Sequence, residues 1–466
     1  MSRADLLARI EAVVGASALV ADEGGMAAYL SDWRGAYPGR AAAVVRPATT
    51  EEVAAVVRIC AAADTPIVPQ GGNTVMCGGA APDGTGRSVV VALGRMNRVL
   101  DIDPLDNTAT VEAGCILAAI REAAAGAGRL FPLSLAAEGS CQIGGNLSTN
   151  AGGINVLRYG NARDLVLGVE VVLADGSVYN GLRNLRKDNS GYDLKQLFIG
   201  AEGTLGVITK AVLKLFPLPA CTLTALVAVP GPAAAVELLA LLRAHCNERV
   251  SAFELISREC LEMVLRRIAE LRDPLPAKAP WYVLAELADT RDTAALRVAL
   301  ETSLAEGIER AVVSDGAIAQ TIAQAREFWR LRESIPEAGR MEKRLLRSDV
   351  AVAISRIPEF IAAATRSLES AVPGMRPICF GHVGDGNLHF NAIPPDDADA
   401  AAIARANEVL NETVCRFGGS ISAEHGIGQS KRSDLARYKS ETELRLMRSV
   451  KAALDPRNLM NPGKVL

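Results

Sequence analysis

The sequence predicts an α+β fold with more than one domain, and three observations lead to this prediction. An apolar strand at 43–47, a helix from Thr50 to about Ala63 and a second strand at 66–69 form a β-α-β unit. An apolar, β-branched run at 166–173 precedes a turn sequence, which is typical of an antiparallel hairpin. Beyond a proline-rich break at 216–219, strands and helices alternate.

The elements follow in order from local signals. Residues 5–14 have the apolar spacing of a helix. The hydroxyl of Thr49 and the carboxylates of Glu51 and Glu52 form a capping pattern that starts the helix of the β-α-β unit. The second half of the chain is predicted to contain strands at 224–229 and 281–287, and helices at 232–244, 257–271, 292–304, 316–333, 357–371 and 433–454.

The composition excludes several classes of function. The 50 Lys and Arg residues nearly balance the 53 Asp and Glu residues, and aromatic residues make up only 4%, which argues against nucleic-acid binding. Nine scattered cysteines without a regular spacing indicate reduced thiols, so we expect a cytoplasmic protein. We also expect no signal peptide and no membrane-embedded segment, because no apolar run is long enough.

Histidine usage points to one region. The chain has four histidines, and His382 and His389 flank the turn sequence Asp385-Gly386 while His425 follows shortly after. A two-residue turn at Asp385-Gly386 would pair His382 with His389 on one face, with Cβ atoms roughly 4.5–5.5 Å apart. Two imidazoles at this separation can bind one metal ion, and Glu424 is the candidate for the third ligand.

Two histidines, one carboxylate and an open coordination position are typical of a catalytic zinc site. The alternative is a hairpin that carries two polar residues on a solvated face. For His425 the alternative is a structural or capping role, and for His245 we expect a solvent-facing helix position without a function.

Three glycine-rich segments lie in the first half of the chain, at 70–74, 139–153 and 200–206. Consecutive glycines let a loop expose successive backbone N–H groups, which is a way to bind a phosphate or to approach a flat ligand closely. None of the segments has the G-x-G-x-x-G spacing of a dinucleotide-binding Rossmann unit. The alternative for each glycine is an ordinary tight turn.

Taken together, these motifs carry a family resemblance. The chain resembles FAD-dependent 2-hydroxyacid dehydrogenases of the vanillyl-alcohol-oxidase/p-cresol-methylhydroxylase fold, and within them the D-2-hydroxyglutarate branch. The resemblance extends over nearly the whole chain and rests on the segments at 69–74, 96–100, 139–160, 185–195, 200–206, 382–389 and 422–426.

The resemblance implies a domain organisation and a cofactor site. It implies an FAD-binding domain of two α+β subdomains at 1–218, an α+β substrate domain at 219–423 and a C-terminal segment at 424–466 that returns to the FAD domain. It implies noncovalent FAD, since the first glycine loop lacks the histidine that attaches flavin in some relatives. The implied FAD-binding residues are Pro69, Gly71, Gly72, Asn73, Thr74, Gly139, Ser140, Gly144, Gly145, Asn146, Thr149, Asn150, Gly152, Gly153, Glu202, Gly203, Ile208 and Asn461.

The resemblance also implies roles at the catalytic site. His382, His389 and Glu424 match the ligands of a divalent metal, usually zinc, and His425 matches the catalytic base. By the same resemblance, Asn391 would lie beside the substrate and Arg332 would bind a substrate carboxylate. The alternative for Arg332 is a surface salt bridge.

Three departures from the family pattern concern the exact substrate. Val75 follows the first glycine loop where glycine is usual. Pro336 replaces a hydroxyl residue near the substrate, and Arg347 stands where a lysine commonly binds the distal carboxylate. A guanidinium can still bind a carboxylate in a bidentate manner.

The predicted activity is oxidation of D-2-hydroxyglutarate to 2-oxoglutarate, by metal-assisted deprotonation of the C2 hydroxyl and hydride transfer to FAD. One alternative is a D-lactate or broad-specificity D-2-hydroxyacid dehydrogenase that also accepts D-malate. A second is a flavin-carrying subunit without its own catalysis. The expected partners are the small hydroxy acid and an external electron acceptor, either an electron-transfer flavoprotein or a quinone. A homodimer is the working expectation.

Overall fold

The computed structural model describes residues 1–291 and 293–466, and the chain divides into two compact units. Unit 1 comprises residues 1–153, 160–218 and 424–466, and unit 2 comprises residues 154–159 and 219–423.

The helices and strands are numbered in chain order. The helices are α1 (Arg3–Val14), α2 (Glu23–Met26), α3 (Thr50–Ala62), α4 (Leu117–Gly126), α5 (Ile143–Ser148), α6 (Val156–Tyr159), α7 (Lys195–Phe198), α8 (Pro232–Cys246), α9 (Arg258–Arg267), α10 (Thr293–Glu309), α11 (Ile322–Glu333), α12 (Ile335–Arg340), α13 (Ile357–Ala371), α14 (Ala400–Arg416), α15 (Arg432–Tyr438) and α16 (Glu441–Leu454). The strands are β1 (Leu19–Val20), β2 (Ala43–Val45), β3 (Ile67–Gln70), β4 (Val89–Ala92), β5 (Val99–Asp103), β6 (Thr108–Glu112), β7 (Arg129–Leu130), β8 (Val166–Val172), β9 (Val178–Asn180), β10 (Val207–Lys214), β11 (Phe216–Pro217), β12 (Cys221–Val229), β13 (Val250–Ser257), β14 (Trp281–Asp289), β15 (Asp315–Ile318), β16 (Val350–Ala351), β17 (Arg376–His382) and β18 (Asn387–Ile393).

Unit 1 contains two main sheets among its described residues. One has the order β1-β2-β4-β3, in which β2, β4 and β3 are parallel. The other is antiparallel, with the order β5-β6-β10-β8-β9. The parallel strands β2 and β3 are connected through α3, which buries an apolar stripe that includes Val53 and Val57. The C-terminal segment joins this unit, because Asn461 N donates to the carbonyl of Ile67 at 2.7 Å.

Unit 2 is organised around one sheet of seven strands among its described residues, with the order β15-β12-β14-β13-β17-β18-β16. Strand β13 lies at its centre, and all eight of its residues are buried. Phe253 and Leu255 belong to a large apolar cluster on one face, together with residues of α8, α10, α13 and α14. Ile256 belongs to a second cluster on the other face, with residues of α9, α11 and α12. The sheet is therefore covered on both faces.

Most of the predicted elements are confirmed. Helix α1, the cap of α3 by the hydroxyl of Thr49, and helix α13 all occur where the sequence predicts them. The predicted helix at 316–333 is wrong at its beginning, since β15 occupies its first residues and α11 starts at Ile322. The predicted start of a helix at 292 lies outside the described residues, and α10 begins at Thr293. Strand β13 was not predicted.

The hairpin at 382–389 has a different register from the predicted one. Phe380, and not His382, lies opposite His389. The predicted type of two-residue turn requires positive φ at both Asp385 and Gly386, but of these two residues only Gly386 has it, at 91°. The Asp385 carboxylate instead accepts the N–H of Asn387 at 3.0 Å, in a turn of four residues.

This change of register is two residues, and a shift of two preserves the face of every side chain. His382 and His389 therefore still share a face, as predicted.

Across the described residues, no helix combines the length and the apolar character that crossing a bilayer requires.

Candidate functional site

Unit 1 contains a cleft with about 710 Å³ of empty space, part of it open to solvent. The loop after β3, the N-terminal part of α5 and the segment that leads into β10 line it. Each of these comes from one of the three glycine-rich segments, so the fold brings together segments that are far apart in the chain. The predicted cofactor residues that line the cleft are Pro69, Gly71, Gly72, Asn73, Thr74, Gly144, Gly145, Asn146, Thr149, Glu202, Gly203 and Ile208.

The glycines of the cleft have two physical roles. A Cβ on Gly72 would lie 2.2 Å from the carbonyl oxygen of Ser140, so only glycine lets these two loops approach each other. A Cβ on Gly145 would meet no atom within 4 Å, so the space next to this backbone is open to a ligand. The Gly72 position shapes the cleft, and the Gly145 position leaves its floor accessible.

Polar atoms at the cleft fit a ligand that donates hydrogen bonds. Among the described residues, Oδ1 of Asn73 and Oε1 of Gln142 are buried acceptors without a hydrogen-bond partner. Both side chains line the cleft. Buried acceptors are rarely left unpaired in native proteins, so these two fit the N–H and hydroxyl groups of a flavin nucleotide. Sequence reasoning missed Gln142, although it lies within the second glycine-rich segment.

The remaining predicted cofactor residues lie outside the lining of the cleft. These are Gly139, Ser140, Asn150, Gly152, Gly153 and Asn461. Asn461 is nevertheless connected to the cleft, since its side-chain amide donates to the carbonyls of Gly79 at 2.9 Å and Glu202 at 2.7 Å. Val75, the first departure from the family pattern, does line the cleft.

Glu202 holds the loop that carries the predicted catalytic base. Its carboxylate accepts the backbone N–H groups of Ile427 at 2.7 Å and Gly428 at 2.8 Å. Burial raises the pKa of Glu202, and these two N–H groups only partly offset that effect.

Within unit 1, Glu424 accepts the N–H of Gly153 at 3.0 Å, and His425 is half-buried.

In unit 2, the predicted histidines lie on one face of the sheet. The rings of His382 and His389 are 5.6 Å apart between centroids. Phe380 is the cross-strand partner of His389, and the centroids of the two rings are 4.8 Å apart. Nδ1 of His389 is 3.8 Å from Oδ1 of Asp349, a buried carboxylate. Imidazole nitrogens and carboxylate oxygens are ligand types that suit a divalent ion such as Zn²⁺.

A buried carboxylate joins two of the predicted site residues. Glu254 of β13 is fully buried, and His382 is its direct partner on β17. Nδ1 of His382 is 2.6 Å from Oε1 of Glu254, and Nε of Arg332 donates to Oε2 at 2.7 Å. Burial raises the pKa of Glu254, but the contacts of its carboxylate with His382 and Arg332 outweigh this effect and lower the pKa to about 2.

Arg332 is buried, which excludes the surface salt bridge that was its alternative. Its guanidinium lies 4.8 Å from the ring centroid of Phe380. Only Nε has a hydrogen-bond partner within the part of the chain that the structure describes, so the two terminal nitrogens retain their donors. A buried guanidinium with unused donors is a binding group for a carboxylate.

The other predicted substrate residues lie in the same unit. Oδ1 of Asn391 accepts the N–H of Ser348 at 3.0 Å, and Arg347 donates to the carbonyl of Gly339 at 3.2 Å. Pro336 is in the first turn of α12, where a missing N–H has no cost. His245 is not a free surface residue, since Nε2 lies 2.7 Å from Oε2 of Glu306.

Sequence reasoning missed Glu254 and Asp349. Glu254 is the one carboxylate in the apolar run Val250–Ser257, and a single charge within a buried strand is an available signal for a functional residue. Asp349 follows Arg347 and Ser348 without any distinguishing pattern. Its relation to His389 depends on the fold.

Comparison with known families agrees with this description. A model of the FAD binding domain matches residues 41–181, and a model of the C-terminal domain of FAD linked oxidases matches residues 218–465. The two domains are therefore those of an FAD-linked oxidase.

Similar sequences define the family more narrowly. A D-2-hydroxyglutarate dehydrogenase from Xanthomonas citri is 42% identical, with 94% of this chain and 92% of the relative covered. One from Stutzerimonas stutzeri is 36% identical, over 99% of this chain and 98% of the relative. The mitochondrial D-2-hydroxyglutarate dehydrogenase of Bos taurus is 38% identical, over 93% of this chain and 78% of the relative. The chain belongs to the family of the D-2-hydroxyglutarate dehydrogenases.

Solved structures confirm the predicted fold. p-Cresol methylhydroxylase with substrate bound superimposes with a TM-score of 0.75 at 18% identity, over 99% of this chain and 96% of the other. An alkyldihydroxyacetonephosphate synthase gives a TM-score of 0.76 at 18% identity, over 98% and 85%. At this identity the likeness concerns the fold alone.

Proposed function

We propose that the chain oxidises D-2-hydroxyglutarate to 2-oxoglutarate with noncovalently bound FAD. The observation that carries this proposal is the buried guanidinium of Arg332, whose terminal donors are unused among the described residues. A 2-hydroxy acid offers a carboxylate next to the carbon that is oxidised. Binding of that carboxylate fixes the position of the C2–H bond, which is the main requirement for an oriented hydride transfer. The relatives' names support the substrate.

The cleft of unit 1 is the proposed FAD site. Its glycine-rich loops and the unpaired acceptors of Asn73 and Gln142 support this assignment. When bound, FAD supplies the acceptor for the C2 hydride. We propose that residues 1–218 bind the flavin, that residues 219–423 bind the substrate, and that residues 424–466 supply a base and a ligand.

We further propose that His382, His389 and Glu424 hold a divalent metal, with Zn²⁺ as the first choice. The imidazole pair and the nearby Asp349 support a metal on the unit 2 side. When bound, the metal supplies a Lewis acid that lowers the pKa of a coordinated hydroxyl group. The imidazole of His425 is the proposed acceptor for the hydroxyl proton.

Specificity is proposed to depend on the far end of the substrate. Hydroxyglutarate carries a distal carboxylate that lactate lacks, and Arg347 is the proposed cation for it. Asn391 is proposed to lie beside the substrate, whereas Pro336 offers no hydroxyl there. If these residues do not contact the distal carboxylate, the alternative activity is that of a D-2-hydroxyacid dehydrogenase with broad specificity.

The electrons leave the flavin through an external acceptor, for which we propose an electron-transfer flavoprotein or a quinone. We propose a reducing compartment such as the cytoplasm, because the nine cysteines form no disulfide within the described part of the chain. The oligomeric proposal is a homodimer.

Anaerobic reduction of the bound flavin tests the proposal directly. The protein is mixed with D-2-hydroxyglutarate, D-malate or D-lactate, and flavin absorbance is followed in metal-loaded and metal-free samples whose metal content has been measured. We expect rapid bleaching by hydroxyglutarate that requires the metal. Bleaching by lactate alone would reject the substrate, and full-rate bleaching without metal would reject the metal site.

A further inference from the structure

The buried carboxylate of Glu254 has no role in the reaction as outlined above. It lies on β13, the central strand of the unit 2 sheet, and its side chain is fully buried. Removing a carboxylate from water is costly unless cations or hydrogen-bond donors compensate it. Here the compensating groups are Arg332 and His382, on different elements and on different carboxylate oxygens. Both are predicted site residues.

The contact with His382 determines which nitrogen of the imidazole carries a proton. An ionised carboxylate only accepts hydrogen bonds, so Nδ1 of His382 is the donor in the 2.6 Å contact. In a neutral ring, Nε2 then keeps its lone pair. A metal ion binds a histidine through such a lone pair, so the contact prepares Nε2 for a metal ion.

The contact with Arg332 determines which donors of the guanidinium remain. Glu254 engages Nε at 2.7 Å, and the ring of Phe380 lies 4.8 Å from the guanidinium carbon. These two contacts restrict the rotation of the group and leave the terminal nitrogens for an anion. The two terminal nitrogens form one edge of the planar guanidinium group. Such an edge can bind a carboxylate through two parallel hydrogen bonds.

We propose that Glu254 is a positioning residue that couples the two halves of the catalytic site in unit 2. One oxygen fixes the tautomer of His382 for metal binding, and the other fixes Arg332 for the substrate carboxylate. This inference rests on the proposed function, because it needs a metal and an anionic substrate. The cross-strand register Glu254–His382 is the feature that makes the coupling possible.

The test is the substitution Glu254→Gln, with metal affinity as the main readout. A glutamine has one acceptor and one donor group, so it cannot accept hydrogen bonds from both Arg332 and His382. If its amide N–H₂ faces His382, the ring takes the Nε2–H tautomer, which lacks the lone pair for the metal. We expect zinc affinity, measured by competition with a chromophoric chelator, to fall about 10- to 100-fold.

Glu286→Gln is the matched control. Glu286 lies on the adjacent strand β14, and its carboxylate accepts from Nε1 of Trp329 at 2.7 Å and from Thr224. Its isosteric variant replaces another carboxylate of the same sheet, whose hydrogen-bond partners are neither His382 nor Arg332. We expect its zinc affinity to stay within about threefold of the wild type, since the substitution changes none of the three proposed ligands.

A second measurement covers the case in which Glu254→Gln does not fold. The chain has four histidines, so selective ¹⁵N-histidine labelling gives a simple spectrum, and His382→Gln identifies the signal. In the metal-free wild-type protein we expect the Nδ1–H tautomer of His382. An Nε2–H tautomer, or a folded Glu254→Gln variant with wild-type zinc affinity, would overturn the role of Glu254. Two other results would instead reject the proposed function. One is that the wild-type protein binds no metal, and the other is that D-2-hydroxyglutarate does not reduce its bound flavin.

Discussion

Replacement of Arg332 by lysine separates the charge of this residue from its geometry. The guanidinium has five N–H donors, of which Nε–H is used by Glu254 at 2.7 Å. The four others are on the terminal nitrogens and can form two parallel bonds to a carboxylate. A lysine keeps the positive charge next to Glu254 but has a single nitrogen, which cannot serve both Glu254 and the substrate in this geometry.

The magnitude follows from the number of bonds lost. Each hydrogen bond between charged partners contributes about 1.5–3 kcal/mol, and the variant loses one or two of them. A loss of about 1.5–6 kcal/mol corresponds to a decrease of about 10-fold to about 25,000-fold in kcat/KM. The assay is anaerobic stopped-flow reduction of the flavin at a series of D-2-hydroxyglutarate concentrations.

Arg330→Lys is the matched control on the same helix. Arg330 pairs with Glu270 at the surface, where its side chain is 54% exposed, so we expect kcat/KM to change less than about threefold. The reasoning would be refuted if Arg332→Lys kept kcat/KM within threefold of the wild type, or if both variants lost activity equally. The apparent Tm of each variant shows whether a loss reflects unfolding.

Three further predictions concern the cofactor, the substrate and stability. Gly145→Ala should leave the apparent Tm of the apoprotein unchanged, because the added Cβ meets no atom within 4 Å, but should lower FAD occupancy, measured by the ratio of flavin to protein absorbance. Gly84→Ala, which is equally unobstructed but lies outside the cleft, is its control, and equal occupancy in both variants would contradict the assignment of the cleft. Arg347→Met should lower the ratio of kcat/KM for hydroxyglutarate to that for lactate at least about tenfold, through loss of a charged contact, and an unchanged ratio would remove Arg347 from specificity. Asn461→Ala removes donors from two carbonyls at 2.9 and 2.7 Å, so the apparent Tm should fall by several degrees, and an unchanged Tm would show that water replaces the amide.

Local signals in the sequence were enough to predict much of the fold. The hydroxyl of Thr49 caps α3 because it accepts an N–H three residues away, at 3.2 Å from Glu52 N. The tight loops of the glycine-rich segments could be predicted in the same way, because the backbone conformations open to glycine are a property of that residue itself. Among the described residues, Asn73 and Glu202 adopt positive φ within such segments.

The hairpin shows how far such reasoning extends. The sequence predicts the face on which His382 and His389 lie, because side chains alternate with a period of two. The register was wrong, because it depends on the backbone of the turn, and Asp385 forms a side-chain contact with the N–H of Asn387. The face survives this error since the shift is an even number of residues.

The residue types of the site are read directly from the sequence, and the local shape of its loops follows from interactions over a few residues. Tertiary structure alone decided which of these residues are partners. Glu254 contacts His382, 128 residues away in sequence, and Arg332, 78 residues away. No periodicity or spacing contains this information. A buried charge must find compensating groups, and in this chain the order of the strands in the sheet decides which groups those are.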